Sequence, residues 1–381
     1  MQERLKIVSL FDGISCGRVA IERAGYTVSS YIAYEIDKYA RAVSRYNYPD
    51  IEHHGDVMDA DFYKYKGYDI VMGGSPCTFW SIAKANREVD KDGMGWKLFM
   101  RFVEAVRQVK PRFFFYENVA SMPQNIKAYI SEELGCEPIL INSALMSAQQ
   151  RKRLYWTNIT GINQPEDKRI LLKDIIENDL INSITLKDKS NTLCAQFYKE
   201  NVKSLITHKK AGLIVASAIG AALRTRTDKN GKFKRLEVRD DGKLNALTTV
   251  QTDSVICSPV RVGEFGTGGQ GNRIYSVHGK TISLMSNGGG SGARTGLYKI
   301  DLPDGDYIIR KLTPIEAERC QTLPDDYTAF GIDDSGKTVN ISNTQRYKAI
   351  GNGWTVDVIT HVFRHIGWSE VINKNGICAN P

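Results

Sequence analysis

Short apolar runs alternate with amphipathic stretches along the first 160 residues of the chain. The apolar runs are typical of buried strands, and the stretches at 17–24, 38–46 and 96–109 have the apolar spacing of helices. Strands that alternate with helices predict a parallel sheet with helices on both faces. The predicted strands are LKIVSLF (5–11), SSYIAYEI (29–36), YDIVMGG (68–74), RFFFYEN (112–118), PILINSA (138–144) and RLYWTNI (153–159).

The pattern changes after residue 160, where helical spacing fades and short β-like pieces alternate with Gly, Ser, Asn and Lys. Helical signals return at KLTPIEAERCQTL (311–323), in which Thr313 and Glu316 form a capping-box pattern. The segment GNGWTVDVITHVFRHIG (351–367) predicts one final amphipathic helix.

The chain is therefore predicted to be an α/β protein whose doubly wound domain is split. Residues 1–160 and 307–381 form its two parts, and residues 161–306 form a smaller β-rich domain inserted between them.

Composition argues against a membrane-spanning protein and against a disulfide-stabilised one. The chain has 381 residues, of which 42% are hydrophobic, and no apolar run approaches the roughly 18 residues that span a bilayer. It opens directly on a strand-like segment, so we expect no leader peptide and no membrane partner. Seven cysteines at long spacings, without a CxxC pair, predict no disulfide framework and no metal site, as in a cytosolic protein.

The charge of the chain favours a polyanionic partner. The net charge is +8, and residues 209–239 hold nine Lys or Arg against two acids. A basic run by itself more often forms a solvated face, so this signal depends on its context.

Polar residues that could bind a ligand follow the first strands. Gly13 and Gly17 in FDGISCG allow a ligand to approach the backbone at a helix N-terminus, although the loop lacks the GxGxxG spacing. Glu35 ends the second strand, where acids commonly accept hydrogen bonds from ribose hydroxyls, and Asp56 follows as a candidate acceptor for an adenine amino group. Each acid alone is more often a surface carboxylate, but together they favour a cofactor that contains a nucleoside.

Cys77 and Glu117 come just after two apolar strands, DIVMGG and RFFFYE. The carboxyl ends of strands in a doubly wound sheet border the crevice that holds ligands. A thiol stiffened by Pro76 and a carboxyl group at the end of an aromatic run suit a nucleophile and a proton donor. On this pattern alone, a packing cysteine beside an unrelated acid is about equally consistent.

The order of these motifs resembles that of the cytosine-C5 DNA methyltransferases. The motifs themselves are most similar to those of the de novo branch of animals and of phage and bacterial relatives. The similar motifs cover roughly 1–160 and 307–366 and keep the family's order. They are FDGISCG, SPC (75–77), ENV (117–119), QQRKR (149–153), RKLTPIEAERCQTLP (310–324) and AIGNGWTV (349–356).

The resemblance implies the chemistry of the site. Cys77 would attack C6 of a cytosine flipped out of duplex DNA, and Glu117 would hold N3 and the exocyclic amine. Arg153, with Arg151 behind it, would stabilise the electron-rich adduct. The methyl group would pass from S-adenosyl-L-methionine to C5, leaving S-adenosyl-L-homocysteine. The fold implied is the Rossmann-like doubly wound sheet of S-adenosylmethionine-dependent methyltransferases.

The same resemblance assigns a set of positions to the cofactor. They are Phe11, Gly13, Gly17, Glu35, Asp56, Val57, Pro76, Leu98, Asn352 and Trp354. The segment from Trp80 to Trp96 would be a mobile loop that closes over DNA. Thr78, Phe79 and Trp80 depart from the family pattern, and nothing in the sequence explains them.

The β-rich insertion would then be the target recognition domain, with double-stranded DNA as partner. Its basic run would contact phosphates and groove edges, and arginine forks there could read guanine. The expected protein is a cytosolic monomer of a bacterium or phage-infected host, with a cognate restriction endonuclease as a further partner. The DNA-contact candidates are Ser81, Arg224, Arg226, Lys234 and Arg235.

Three alternatives remain open at this point. The same chemistry could act on RNA, although the Cys-Phe-Thr signature of the transfer-RNA branch is missing. A catalytically silent DNA-binding relative would not need the complete set Cys77, Glu117, Arg151, Arg153 and Asn352. A nicotinamide oxidoreductase would need a GxGxxG loop and would leave Cys77 unexplained.

Overall fold

A computed structural model describes residues 4–82, 86–177, 221–228, 231–238, 261–264, 273–277, 279–282, 297–301, 307–310 and 312–367. A seven-stranded sheet in the order β3-β2-β1-β4-β5-β7-β6 forms its centre. The strand order reverses beside β1, which makes this a doubly wound sheet. Its strands are β1 (Arg4–Leu10), β2 (Thr27–Tyr34), β3 (Glu52–His54), β4 (Ile70–Gly73), β5 (Phe113–Val119), β6 (Ile139–Asn142) and β7 (Lys152–Thr157).

The parallel sheet is confirmed for β1 to β5 and is wrong for β7, which runs antiparallel to both β5 and β6. Only residues 143–151 connect β6 to β7, and a parallel return needs a crossover of about a dozen residues or more. The reversal sets Arg153 opposite Val119, two residues beyond Glu117.

Helices cover both faces of the sheet, as the sequence predicts. Apolar side chains of α1, α2 and α7 pack on one face, and those of α3 and α4 pack on the other. The helices are α1 (Cys16–Arg23), α2 (Lys38–Asn47), α3 (Met94–Val109), α4 (Gln124–Leu134), α5 (Pro314–Cys320), α6 (Asn343–Asn352) and α7 (Val356–Phe363).

The capping box of α5 is confirmed, whereas the single final helix is not. The Thr313 hydroxyl accepts from the Glu316 amide, and the Glu316 carboxylate accepts from the Thr313 amide. Residues 351–367 instead hold the end of α6 and all of α7, separated by Gly353 in an extended conformation with ψ 166°. A Cβ at Gly353 would lie 3.1 Å from the Cys16 sulfur, so the break packs closely against α1.

The remaining described strands form smaller sheets. Strands β8 and β9 pair antiparallel, β10 to β13 form a four-stranded sheet, and β14 pairs with β15. Within the described part of 161–306 the regular elements are strands and one short turn of 3-10 helix at Leu172–Asp174. The strands of all three smaller sheets are β8 (Ala221–Asp228), β9 (Gly231–Val238), β10 (Arg261–Glu264), β11 (Arg273–Ser276), β12 (Leu297–Asp301), β13 (Tyr307–Arg310), β14 (Phe330–Ile332) and β15 (Thr338–Asn340).

The domain limits at 160 and 306 stay a prediction. Strand β13 lies after residue 306, yet it pairs antiparallel with β12 before it. The four-stranded sheet therefore includes strands from both sides of the predicted limit.

A short docking segment, residues 279–282, joins the β-rich part to the main sheet. The Thr281 amide donates to the Ala148 carbonyl at 2.8 Å, and the Gln150 amide donates to the Thr281 carbonyl at 3.0 Å. The fully buried Lys280 ammonium donates to the Ser147 carbonyl at 2.8 Å. These contacts attach the docking segment directly before Arg151 and Arg153.

Candidate active site

Cys77 lies on a tight turn after β4. Pro76, with φ −51°, precedes a turn of 3-10 helix at Cys77–Phe79. The Cys77 carbonyl accepts from the amides of Trp80 at 3.1 Å and Ser81 at 2.9 Å, which fixes the backbone that follows the thiol. Cys77 is partly exposed and has no disulfide partner, so its thiol can meet a substrate.

A buried hydrogen-bond network ties this turn to β5. The hydroxyl oxygens of Ser75 and Tyr116 lie 2.6 Å apart, and the Asn118 side-chain amide donates to the Ser75 carbonyl at 3.2 Å. Satisfied buried networks of this kind hold one geometry. Sequence reasoning missed Ser75 and Tyr116 as supports. Their signal was polar groups beside Cys77 and Glu117 in otherwise apolar runs.

The packing of Trp80 and Phe79 supplies a reason for aromatic residues here. Trp80 is fully buried in the core beneath α3, and Phe79 packs against the same core. A Cβ on Gly95 would lie 2.7 Å from the Phe79 Cβ, so α3 approaches the turn very closely. The two rings anchor the turn that carries Cys77, and Thr78 remains exposed.

The described part of the 80–96 segment lies against the protein. The Glu88 amide donates to the Phe79 carbonyl at 2.8 Å, and the Glu88 carboxylate accepts from the Gly95 amide at 2.9 Å. The Arg87 guanidinium donates to the Ser121 carbonyl at 2.7 Å. The predicted movement of this segment over DNA would have to break such contacts, and it stays a prediction.

Glu117 lies near the end of β5. This strand pairs with β4, which precedes the Cys77 turn. Its carboxylate receives the Arg153 Nε at 2.9 Å and the Trp354 indole N–H at 3.1 Å, one on each oxygen. The side chains of Glu117 and Arg153 are only 11% and 13% exposed, so solvent screens the ion pair weakly. A Cβ at Gly74 would come within 2.9 Å of the Glu117 carboxylate, which explains the second glycine after β4.

Arg151 supports the site by binding the segment between α6 and α7. Its guanidinium is buried and donates to the carbonyls of Gly351 at 3.2 Å and Gly353 at 3.0 Å. Burial, together with the nearby positive charge of Arg153, lowers the pKa of Arg151. These bonds hold the break between α6 and α7, and with it Trp354, in position.

The loop after β1 forms a cradle with Glu35. The Glu35 carboxylate accepts from the Gly13 amide at 2.8 Å and from the Asp37 amide at 2.7 Å, and burial raises its pKa. Phe11 and Ser15 both adopt left-handed backbone conformations, with φ 57° and 61°. A Cβ at Gly13 would meet only open space, so the loop leaves room beside it for a ligand.

Asp12 holds this strained loop, and sequence reasoning gave it no role. Its buried carboxylate accepts from the hydroxyls of Ser9 at 2.6 Å, Tyr31 at 2.6 Å and Ser15 at 2.5 Å. Burial raises the pKa of Asp12 above its usual range, although all three hydrogen bonds lower it. The loop geometry is therefore maintained by an acid that is costly to ionise.

We expect Asp12→Asn to raise the melting temperature at about pH 7.5 by about 2–4 °C. The amide keeps acceptor capacity for Ser9 and Tyr31 but carries no buried charge. Because burial raises the folded-state pKa of Asp12, its contribution to wild-type stability falls as pH rises through that pKa. The difference between variant and wild type should therefore shrink as pH is lowered. Thermal unfolding of both proteins across pH checks this, and a difference independent of pH would contradict it.

The structure gives the local contacts of the other predicted cofactor positions, and their role stays a prediction. Gly17 packs closely, since a Cβ there would lie 2.5 Å from Met72 and 3.2 Å from Trp354. Asp56 caps the short turn at Val57–Asp59 through the Met58 amide, and the Val57 carbonyl accepts from Arg101 at 3.0 Å. Of the remaining positions, Pro76 and Asn352 are exposed, and Leu98 is half-buried.

The structure places the predicted DNA-contact residues in two regions. Ser81 is half-buried beside the Cys77 turn. In the β8–β9 pair, Arg224 is opposite Arg235 and Thr225 is opposite Lys234, with Arg226 one position further on. The side chains of these strands lie outside what the structure describes.

The described residues lack two kinds of feature. No helix among them is both long and apolar enough to cross a membrane. The same residues contain no group of three or more His, Cys, Asp or Glu side chains that could bind a metal ion.

The doubly wound sheet with its antiparallel β7 is Rossmann-like, and solved methyltransferase structures share this fold. The sequence profile of the C-5 cytosine-specific DNA methylases matches residues 5–368, so the chain belongs to that family.

Several known proteins are similar along nearly the whole chain. The type II methyltransferase M.HhaI of Haemophilus parahaemolyticus is 27% identical over 365 residues, which cover 96% of this chain and 95% of that protein. The orphan methyltransferase M.SPRI of Bacillus phage SPR is 26% identical over 442 residues and covers 95% and 97%. The structure of the Entamoeba histolytica methyltransferase EhMeth matches with a TM-score of 0.60 and 13% identity, covering 98% and 99%, which shows the shared fold alone.

Proposed function

We propose that this chain is an S-adenosylmethionine-dependent DNA (cytosine-5)-methyltransferase that produces 5-methylcytosine within a short specific sequence of double-stranded DNA. One observation carries the proposal. A partly exposed thiol and a carboxylate ion-paired with arginine lie at adjacent strand ends of a chain that belongs to the C-5 cytosine-specific DNA methylases.

Cys77 is the nucleophile in this proposal. Its thiolate attacks C6 of the cytosine, which forms a C6–S bond and makes C5 electron-rich. The rigid turn supports this role, because Pro76 and the backbone bonds to the Cys77 carbonyl fix the direction of the thiol.

Glu117 and Arg153 interact with the cytosine in this proposal. Glu117 binds the N3 and amino edge of the cytosine and supports protonation at N3 during the attack. Arg153, which holds one carboxylate oxygen of Glu117 at 2.9 Å, stabilises the negative charge that develops on the ring. Once C5 carries the methyl group, its proton passes to water, N3 gives up its proton, and Cys77 leaves as a thiolate, which restores the C5–C6 double bond.

The cradle around Gly13 and Glu35 suits a nucleoside cofactor. Its open space at Gly13, the half-buried ring of Phe11 and the Glu35 carboxylate fit the adenosine part of S-adenosyl-L-methionine. That cofactor supplies the methyl group when bound and leaves as S-adenosyl-L-homocysteine. Asp56 and Val57 would border the adenine, and Asn352 and Trp354 the methionine end.

DNA must present the cytosine outside the helix, because the site cannot reach C6 within a stacked duplex. Flipping costs about a few kcal/mol, which contacts to the phosphates and to the unpaired strand must offset. Ser81 beside the thiol, and the basic pair of strands β8 and β9, are the proposed contacts.

Radiolabel transfer separates this function from its rivals. Purified protein with tritiated S-adenosylmethionine should label double-stranded DNA, and bisulfite sequencing of DNA from an expressing host should locate the methylated sequence. Label on transfer RNA alone would favour the RNA enzyme. DNA binding without label on any nucleic acid would favour the silent relative. Growth of the expressing host with and without a matched endonuclease tests the proposed restriction partner.

A further inference from the structure

The carboxylate of Glu117 is held by two donors of different kinds. Arg153 donates to Oε1 at 2.9 Å and is charged, whereas the Trp354 indole donates to Oε2 at 3.1 Å and is neutral. Glu117 and Trp354 are 237 residues apart in sequence. The proposed function uses Trp354 only as a cofactor contact, so this hydrogen bond is unaccounted for.

The indole ring is fixed on several sides. Its ring packs edge-on against Phe115, with centroids 5.3 Å apart and planes at 72°. A Cβ at Gly17 would lie 3.2 Å from the ring, and a Cβ at Gly74 would lie 3.5 Å from its nitrogen. Arg151 binds the carbonyl of Gly353, the residue directly before Trp354. The N–H direction is therefore set before any substrate arrives.

Two donors on different oxygens determine the plane of a carboxylate. The terminal torsion of a free glutamate is broad, so a lone Glu side chain would present its oxygens at many angles. Each carboxylate oxygen has about two acceptor sites. With one site on each oxygen filled by Arg153 or Trp354, the second sites remain to bind the cytosine edge.

We propose that Trp354 is a positioning residue, whose indole N–H orients the Glu117 carboxylate toward the N3 and amino edge of the cytosine. The inference rests on the proposed function and assigns Trp354 a role in the chemical step. Because the ring also lies against Gly17 of the cofactor loop, one side chain contacts both halves of the site.

The test replaces the indole by a ring without a donor. We expect Trp354→Phe to lower kcat about tenfold, the loss of one hydrogen bond to a charged group, while KM for S-adenosylmethionine changes less than about twofold. Trp156→Phe is the matched control, because it removes a buried indole N–H bond to Ser131 at 3.0 Å and no hydrogen bond to Glu117. That control should lose thermal stability and keep wild-type kcat.

A double-mutant cycle shows whether the effect passes through Glu117. In a Glu117→Gln background, measured in single-turnover reactions, Trp354→Phe should cause little additional loss. Equal losses in both backgrounds would overturn the proposal, and so would an unchanged kcat or a rise in KM for the cofactor alone.

Two precautions keep the result interpretable. If Trp354→Phe does not fold, Trp354→Met replaces it, since methionine fills space without a donor. Wild-type protein is tested in parallel for a covalent adduct with a duplex containing 5-fluorocytosine. Absence of both adduct and DNA methylation in wild type would reject the proposed function, whereas an active wild type with an unaffected Trp354 variant would reject only the positioning role.

Discussion

Cys77→Ser is expected to lower methyl transfer by at least about 1,000-fold, while affinity for DNA stays within a few-fold of wild type. A serine hydroxyl fits the same turn, because the bonds that fix it involve the backbone carbonyl of Cys77 and no side-chain atom. It is far less ionised and far less nucleophilic than a thiol near neutral pH, so attack on C6 fails. Tritium transfer and a gel-shift titration measure the two quantities.

Cys136→Ser provides the matched control for this change. Cys136 is also partly exposed and unpaired, but it follows α4, away from the strand ends that carry the site. It should keep full activity. Wild-type protein should also form an adduct with a 5-fluorocytosine duplex, whereas Cys77→Ser should not. Methyl transfer that survives Cys77→Ser would show that another group forms the bond to C6.

Glu117→Gln should be the next most damaging change, with a loss in kcat of about 100- to 10,000-fold. A glutamine amide can still hydrogen-bond the cytosine edge, but it has no negative charge to support protonation at N3. The loss should therefore appear in kcat far more than in DNA affinity. Single-turnover methylation with excess enzyme separates these two effects.

The same change should also destabilise the fold. Without the carboxylate, the guanidinium groups of Arg151 and Arg153 lie together in a poorly solvated site with no negative partner from Glu117. Losing one member of such a pair costs about 3–5 kcal/mol when no substitute remains, and the amide oxygen should reduce this to about 1–3 kcal/mol. Glu104→Gln, which breaks a more exposed pair with Arg101, should change the melting temperature little. Equal destabilisation by both variants would contradict the argument.

The sequence predicted the parallel part of the sheet because its strands are strongly apolar. It missed β3, whose three residues Glu52–His54 are polar and owe their strand conformation to pairing with β2. The orientation of β7 depends on the length of its connection to β6. The predicted final helix is broken at Gly353, where Arg151, the residue directly before β7, binds the carbonyls of Gly351 and Gly353.

The positions of Cys77 and Glu117 could be predicted because Cys77 lies shortly after one apolar strand and Glu117 lies near the carboxyl end of the next. The supports around them could not. Asp12 has no role in the sequence-based prediction, because its hydroxyl partners come from β1, β2 and the loop itself. The hydrogen bond from Trp354 to Glu117 joins residues 237 positions apart, which no local pattern indicates.

The docking segment at 279–282 limits how specificity can be transplanted between enzymes of this kind. A chimera that replaced residues 161–306 as one cassette would discard the Lys280 ammonium and the Thr281 backbone bonds along with the proposed DNA contacts of β8 and β9. The Ser147 carbonyl would lose its bond to Lys280 two residues before the motif that carries Arg151 and Arg153. Crossover points chosen on either side of 279–282 would let the host keep its own segment, and with it the contacts directly before Arg151 and Arg153.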